Sequence, residues 1–563
     1  MKPITIIYHM LLAVLVSSVI VSCNYLDVAD NYFSDEISSD SVFNNKRNVE
    51  AYMWDITRMF PDEGSLQIKP ATLGYYATDE AFSLVETWRG YDGMAYVLGE
   101  LSPSSLGTMA ERYDNCYKAI RRCNTIIKRI DEAKDITATE RASILSYVHF
   151  FRGYAYYRLL LDFGPGINLG DEVLETNGSS DYYNRYRSTY DDMVEYICNE
   201  FEQAALYLPI RQSVMNFGRP TRGACYGLIA RLRTYWASPE FNGGDAAHRY
   251  FGNWKRSYDG AYYVNQNYDE KRWAIAAAAC LRVMNMKDNG NALYKLHTVE
   301  SSSTTPQLPL GVTDDPDYYS TWPKGAKGID PYHSYADMFN GESVISSNPE
   351  FVWARYSASL RDDQQCAFPI KKGGWNNECV TQKVIDAYRM ADGHTIDNSS
   401  SECPYTEEGF TTKMKTFSGY RLNAGVSNMY VNREMRFYAS IGFSECYWPM
   451  TSATSTDDHD QTITYYYYSP NGKQQSDHDY PITGYVLKKF IHPTDAWSGT
   501  NAARMEKAYP MIRYADILLM YAEALNHLTN TYHVELGGES YTLSRDEAAI
   551  GNAIGQVRHR AGL

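Results

Sequence analysis

Apolar and aromatic residues recur at helical spacing in several parts of the chain. Tyr113, Cys116, Tyr117, Ile120, Asn124, Ile127 and Ile130 fall on one face of a helix, and Leu145, Val148, His149, Arg152, Tyr156 and Leu159 on one face of the next. Between them, Thr137-Ala138-Thr139-Glu140 has the spacing of a capping box, in which the hydroxyl and the carboxylate each satisfy a free backbone N–H. The glycines and proline of "DFGPG" end the second helix. The pattern predicts further helices at 190–208, 221–236, 272–283, 381–390, 514–528 and 545–560. The clearest is "RYADILLMYAEALN", where Ala515, Leu518, Leu519, Ala522 and Leu525 form the apolar stripe and the alanines allow a partner helix to come close. Arg152 lies on an apolar stripe, so it is expected to be paired, because an unpaired buried charge is costly.

Residues 287–480 differ. They are rich in Gly, Pro, Ser, Asp and Tyr, and long helical patterns are few. There "TITYYYYSPNGKQQ" reads as a strand followed by an Asn471-Gly472 hairpin turn. The prediction is a mostly α fold: tetratricopeptide-like helical hairpins over about 40–286 and 481–563 form a scaffold around a loop-rich, aromatic-rich insert with short strands, about 287–480. The hairpins at the two ends are expected to pack together as a single domain spanning 23–563.

The first residues carry a different pattern. Residues 4–21 are mostly apolar, preceded only by Lys2, and end in Ile20-Val21-Ser22-Cys23. The layout is that of a signal peptide over 1–22. The stretch is also long enough to span a bilayer as an uncleaved anchor. Small and aliphatic residues directly before Cys23 resemble the bacterial lipobox, which implies cleavage before Cys23 and lipidation of its sulfur. No second run of 18 apolar residues occurs, so the body is expected to hang in water from its N-terminus.

Composition narrows the function. The formal net charge of −15 argues against a nucleic-acid or anionic-membrane partner. The nine cysteines after Cys23 form no CxxC pair, so they read as buried small residues with a disulfide or two at most, and no zinc site is expected. No G-x-S-x-G, H-E-x-x-H or P-loop pattern is present, so no catalytic residue, metal or cofactor is assigned. "DDPD" (314–317) and "DDHD" (457–460) lack the full EF-hand pattern and read as solvated turns. The 50 tyrosines and 10 tryptophans are amphipathic rings: most read as core, and some suit a surface that holds an amphipathic ligand.

Several motifs in order resemble the SusD/RagB family of outer-membrane nutrient-binding lipoproteins. They are "SCNYLDV", "YKAIRRCNTIIKRID", "FFRGYAYYRLLLDFG", "GRPTRGACYGLIARLRTYWASP", "NPEFVWA", "TQKVIDAYRMADG", "NREMRFYASI", "TGYVLKKF", "YPMIRYADILLMYAEALN" and "IGQVRHRAGL". The resemblance implies a non-catalytic, surface-exposed, lipid-anchored protein of the outer membrane. It would bind an oligosaccharide and act as a lid over a SusC-like TonB-dependent transporter. A peptide-binding lid and a helical-repeat scaffold are the alternatives. Family members usually continue past the last of these motifs, so exposed apolar surface is expected on the final repeat.

Sugar binding needs an aromatic face for the ring and polar groups for its hydroxyls. Two stretches offer both: "ATDEAFSLVETWRGY", with Asp79, Trp88, Arg89 and Tyr91, and "DDPDYYSTWP", with Asp317, Tyr318, Tyr319 and Trp322. Both are loop-prone, where binding residues collect. The resemblance places a glycan platform on comparable early and middle loops. Asp79 has an alternative reading as a helix N-cap, and the rings as packing or transporter contacts.

Overall fold

The computed structural model describes residues 39–65, 75–83, 92–312, 315–455 and 457–563. Cys23, Trp88, Arg89 and Tyr91 lie outside the described residues.

Six helices carry the first part of the scaffold: α1 (Lys46–Asp55), α2 (Met109–Arg129), α3 (Ala138–Phe163), α4 (Tyr190–Ala205), α5 (Arg222–Ala237) and α6 (Lys271–Met284). Local chemistry starts and stops them. The capping box at α3 is present: Thr137 Oγ1 accepts from Glu140 N at 3.3 Å, and Glu140 accepts from Thr137 N at 3.0 Å. A second box, Thr189 with Asp192, opens α4. Gly164, at φ 74°, ends α3 in a conformation that favours glycine.

From α2 to α6 each helix packs on the next, as antiparallel hairpins do. The chain then makes a long excursion and returns. It comes back through the strand Ala508–Arg513, paired antiparallel with Phe351–Tyr356, directly into α8 (Tyr514–Asn526), having passed through α7 (Pro331–Asn340) on the way. Helix α8 packs on α6, and α9 (Glu547–Arg560) on α8. The α6–α8 contact joins the two ends, and both helices are rich in buried small residues: Ala274 and Ala276 to Ala279 in α6, and Ala515, Ala522 and Ala524 in α8. A single apolar core accordingly contains residues from Val42 to Ala553.

The insert has a second core, with Phe368, Phe437, Phe443, Trp448 and Val486 at its centre. Two small antiparallel sheets frame it. One has the order Ala81–Phe82, Cys379–Val380, Val486–Leu487, Ile441–Gly442. The other has the order Gln461–Ile463, Cys446–Trp448, Tyr420–Leu422, Lys415–Phe417.

Arg152 is paired as its position on the stripe requires. Its guanidinium binds the Glu200 carboxylate at two points, 2.7 and 2.8 Å, and also reaches Asn124 at 2.8 Å and Asp171 at 2.6 Å. The nine cysteines after Cys23 are all buried and free.

Three expectations need correction. The Asn471-Gly472 hairpin does not form. The strand stops at Ile463, pairs with Cys446–Trp448, and leaves Tyr466, Tyr467 and Tyr468 exposed in a loop. Asn471 is buried instead, its side-chain oxygen accepting from Lys371 N at 3.1 Å and its carbonyl from Asn376 at 3.0 Å. These tertiary hydrogen bonds replace the ladder a hairpin would supply. The helix expected at 381–390 is only Gln382–Ala387, because Tyr388 turns extended. On α8, Leu519 is 45% exposed rather than packed, while Ile517 and Tyr521 take the buried positions. Ile554 on α9 is also exposed.

Candidate functional site

Of the candidates in the early stretch, only Asp79 lies among the described residues. Asp79 is exposed, and its carboxylate pairs with Lys383, whose ammonium holds it below the usual carboxylate range. Its carbonyl accepts from Thr381 Oγ1 at 2.7 Å, so this segment is tied to the edge of the insert. It caps no described helix.

In the second stretch, Asp317 pairs with Lys324 at 2.8 Å. Tyr319 is 43% exposed, with its hydroxyl donating to the Pro309 carbonyl at 2.8 Å. Trp322 is half-buried against the helical core. Tyr318 requires correction as a ligand contact. It is fully buried, packed with Val312 and Ala326, and donates to the Gly562 carbonyl at 2.8 Å. Local apolar neighbours have taken its ring, and a carbonyl 244 residues away has taken its hydroxyl.

A larger concave surface lies elsewhere, between α2 and the chain that follows α3. It is a cleft of about 410 Å³, within the range of small-ligand sites. Its α2 wall is a row at helical spacing, Tyr113, Tyr117 and Arg121, flanked by Asp114 and Lys118. The opposite wall is apolar at Ile167, Leu169 and Leu174 and polar at Glu172 and Arg185, with Tyr183 on the rim.

Hydrogen bonds hold this shape. The Tyr117 hydroxyl accepts from Ile167 N at 2.8 Å, and Arg121 donates to the Leu174 carbonyl. Arg185 grips Glu172 through two bonds of 2.6 and 2.8 Å. Tyr183 donates to the Glu175 carbonyl at 2.5 Å and accepts from Gly178 N at 2.8 Å, fixing the rim. Tyr113 is braced edge-on against Phe163 at 5.3 Å and meets Tyr117 at 5.0 Å. The result is a preformed aromatic wall with the exposed Asp114 and Lys118 beside it. Such a surface can stack on an amphipathic ring and hydrogen-bond hydroxyls.

The sequence reading placed Tyr113 and Tyr117 on the core face of α2 and so missed the cleft. The available signal was their chemistry: the core positions of the stripe are Cys116, Ile120 and Asn124, whereas its N-terminal edge is tyrosine next to Asp114 and Lys118.

Among the described residues no group of three or more His, Cys, Asp or Glu is arranged to hold a metal ion. No described helix is long and apolar enough to cross a membrane.

Two family models match the chain. One, described as the SusD family, covers residues 349–563. The other, described as starch-binding associating with outer membrane, covers 24–233. No curated protein sequence matches. Solved structures share the fold. A SusD-like protein from Bacteroides fragilis superposes with a TM-score of 0.61 at 21% identity, over 94% of this chain and 81% of that one. A SusD-like carbohydrate binding protein from the same species gives a TM-score of 0.56 at 17% identity, over 93% of this chain and 80% of that one.

Proposed function

The chain belongs to the SusD/RagB family, and from that premise we propose that it is a cell-surface binding lipoprotein that captures an oligosaccharide and passes it to a SusC-like TonB-dependent transporter. Family membership carries this reading, since one matching model is described as starch-binding and outer-membrane associated. The likeness to a carbohydrate binding protein of B. fragilis supports the ligand class. The tyrosine cleft supports it independently, as an open, rigid site whose rings suit a pyranose face. Nothing in this role requires bond cleavage. The lipid on Cys23 would hold the body beside its transporter.

Sites are proposed in two places. The first is the tyrosine cleft, with Tyr113 as the stacking ring. The second comprises the early and middle stretches, with Trp88 or Trp322 as the ring and Asp79, Arg89, Tyr91, Asp317 and Tyr319 as polar or aromatic neighbours. Calorimetry against a panel of oligosaccharides tests both. Loss of a stacking ring removes ring contact of about 0.5–1.5 kcal/mol beyond area burial and apolar contact at about 25 cal/mol per Å². Roughly tenfold weaker binding is therefore expected from Tyr113→Ala, or from Trp88→Ala or Trp322→Ala, whichever names the true platform. Unchanged affinity in all three variants would remove both sites. Binding of peptides and of no glycan would replace the ligand class while leaving the role at the transporter. Cys23→Ala is expected to free the protein from the membrane fraction. An unmodified Cys23 in membrane-bound mature protein would overturn the anchor.

A further inference from the structure

A second cleft, of about 220 Å³, opens between α7 and the strands and loops around the second core. Its walls include Tyr332, Tyr420 and Tyr447, and its charged groups are His333, Asp337, Lys488, Lys489 and His492. Three of these groups already have partners. His333 Nδ1 lies 3.1 Å from the Asp337 carboxylate, and His492 Nε2 lies 2.5 Å from Glu342, with its other ring nitrogen 2.7 Å from Thr494 Oγ1.

The lysines differ. Lys488 is 7% exposed and directly follows the strand Val486–Leu487, beside Gly442, where a Cβ would come within 3.4 Å of the lysine stem. Its ammonium donates to the Tyr447 carbonyl at 2.8 Å and sits 5.0 Å from the Trp448 ring and 5.6 Å from the Tyr420 ring. An ammonium has three donors, and a carbonyl uses one. No carboxylate pairs with Lys488 or Lys489 among the described residues. Lys489 lies over the Phe339 ring at 4.2 Å. Burial pushes the Lys488 ammonium below the usual lysine range, the mark of a desolvated cation without a counter-ion. The hydroxyl of Tyr420, a residue 3% exposed in the same wall, has no hydrogen-bond partner.

A buried cation without a carboxylate is costly unless something else compensates it. Aromatic faces and one carbonyl compensate it in part, and an anion entering the cleft would complete the set. From this geometry we infer that the cleft is a binding site for a small carboxylate-bearing ligand, whose carboxylate pairs with Lys488, with Lys489 as a second cation in the lining. The volume lies below the roughly 300–1,000 Å³ of drug-sized sites, which suits one sugar-sized group. The tyrosine walls suit the face of a hydroxylated ring. Two sources share this chemistry: the uronate residue of an acidic oligosaccharide, and a free carboxylic acid. The site is separate from the tyrosine cleft, so its failure leaves neutral glycan binding there untouched.

Calorimetry on the full mature chain with galacturonate, succinate and galactose tests the inference. Galacturonate is expected to bind and galactose not to bind. Succinate binding as tightly as galacturonate would support the carboxylate site and assign it to free acids. Binding of galacturonate alone would support it and assign it to acidic sugars. Lys488→Met keeps the buried volume and removes the desolvated charge, so the variant is expected to fold with an unchanged or higher Tm and to bind at least tenfold more weakly. Lys489→Gln, which removes the second cation of the lining, is expected to weaken binding several-fold and serves if Lys488→Met does not fold. The inference is overturned if neither anion binds, if galactose binds as well as galacturonate, or if a folded Lys488 variant keeps native affinity.

Discussion

Glu200 stands between two partners in the scaffold core, with His149 at 3.1 Å and the Arg152 guanidinium bound at two points. Burial alone would raise its pKa, but hydrogen bonds from His149 and Arg152 outweigh burial and hold it below the usual glutamate range. A carboxylate depressed in this way contributes stability that is present above its unfolded value, about 4.3, and is lost as pH falls through the folded value. Glu200→Gln leaves Arg152 buried without that charge, so a loss of about 3–5 kcal/mol is expected near neutral pH. Denaturant midpoints measured against pH check both points: the gap between native protein and variant should be full at pH 7 and should narrow below about pH 4.3. At this scale the sequence was informative about need and silent about partners. The stripe position of Arg152 demanded compensation, yet Glu200 could not be named, since 48 residues separate the pair. Tyr318 failed in part for the same reason, as the acceptor for its hydroxyl comes from the far end of the chain.

Elements set by local chemistry were the legible ones. Helix α3 begins where Thr137 and Glu140 say it should, and Thr137→Ala is expected to cost about 0.5–2 kcal/mol, read as a lower Tm with little change in ligand binding. The period-3.6 stripe identified α2 and α8 as helices. It did not say which flank a neighbour covers, which is why Leu519 came out exposed and Tyr113 came out lining a cleft. The Asn471-Gly472 pair shows the opposite failure. Its turn chemistry was real, but hydrogen bonds from Lys371 and Asn376 recruited it to hold two loops together. Local propensity decides an element only where tertiary partners do not compete.

At the scale of the whole molecule, the α6–α8 contact couples the two ends of the chain. Both helices bury small residues, and a close-packed interior tolerates a larger side chain poorly. Ala277 is fully buried, so Ala277→Leu is expected to destabilise by about 1–3 kcal/mol through overpacking. Because one core spans both ends, the loss should appear in helices before and after the insert alike. Hydrogen exchange would report it, and protection lost only in α8 and α9 would mean that the ends are energetically independent.

The same contact constrains the order in which the protein can be built. The side of α6 that packs on α8 meets its partner only after more than two hundred further residues have been made. At roughly 5–20 residues per second, that face stays uncovered for on the order of ten seconds or more during synthesis. A half-made chain therefore presents an apolar, closely approachable helix with no native cover, so nascent protein has reason to need a holding partner until α8 emerges.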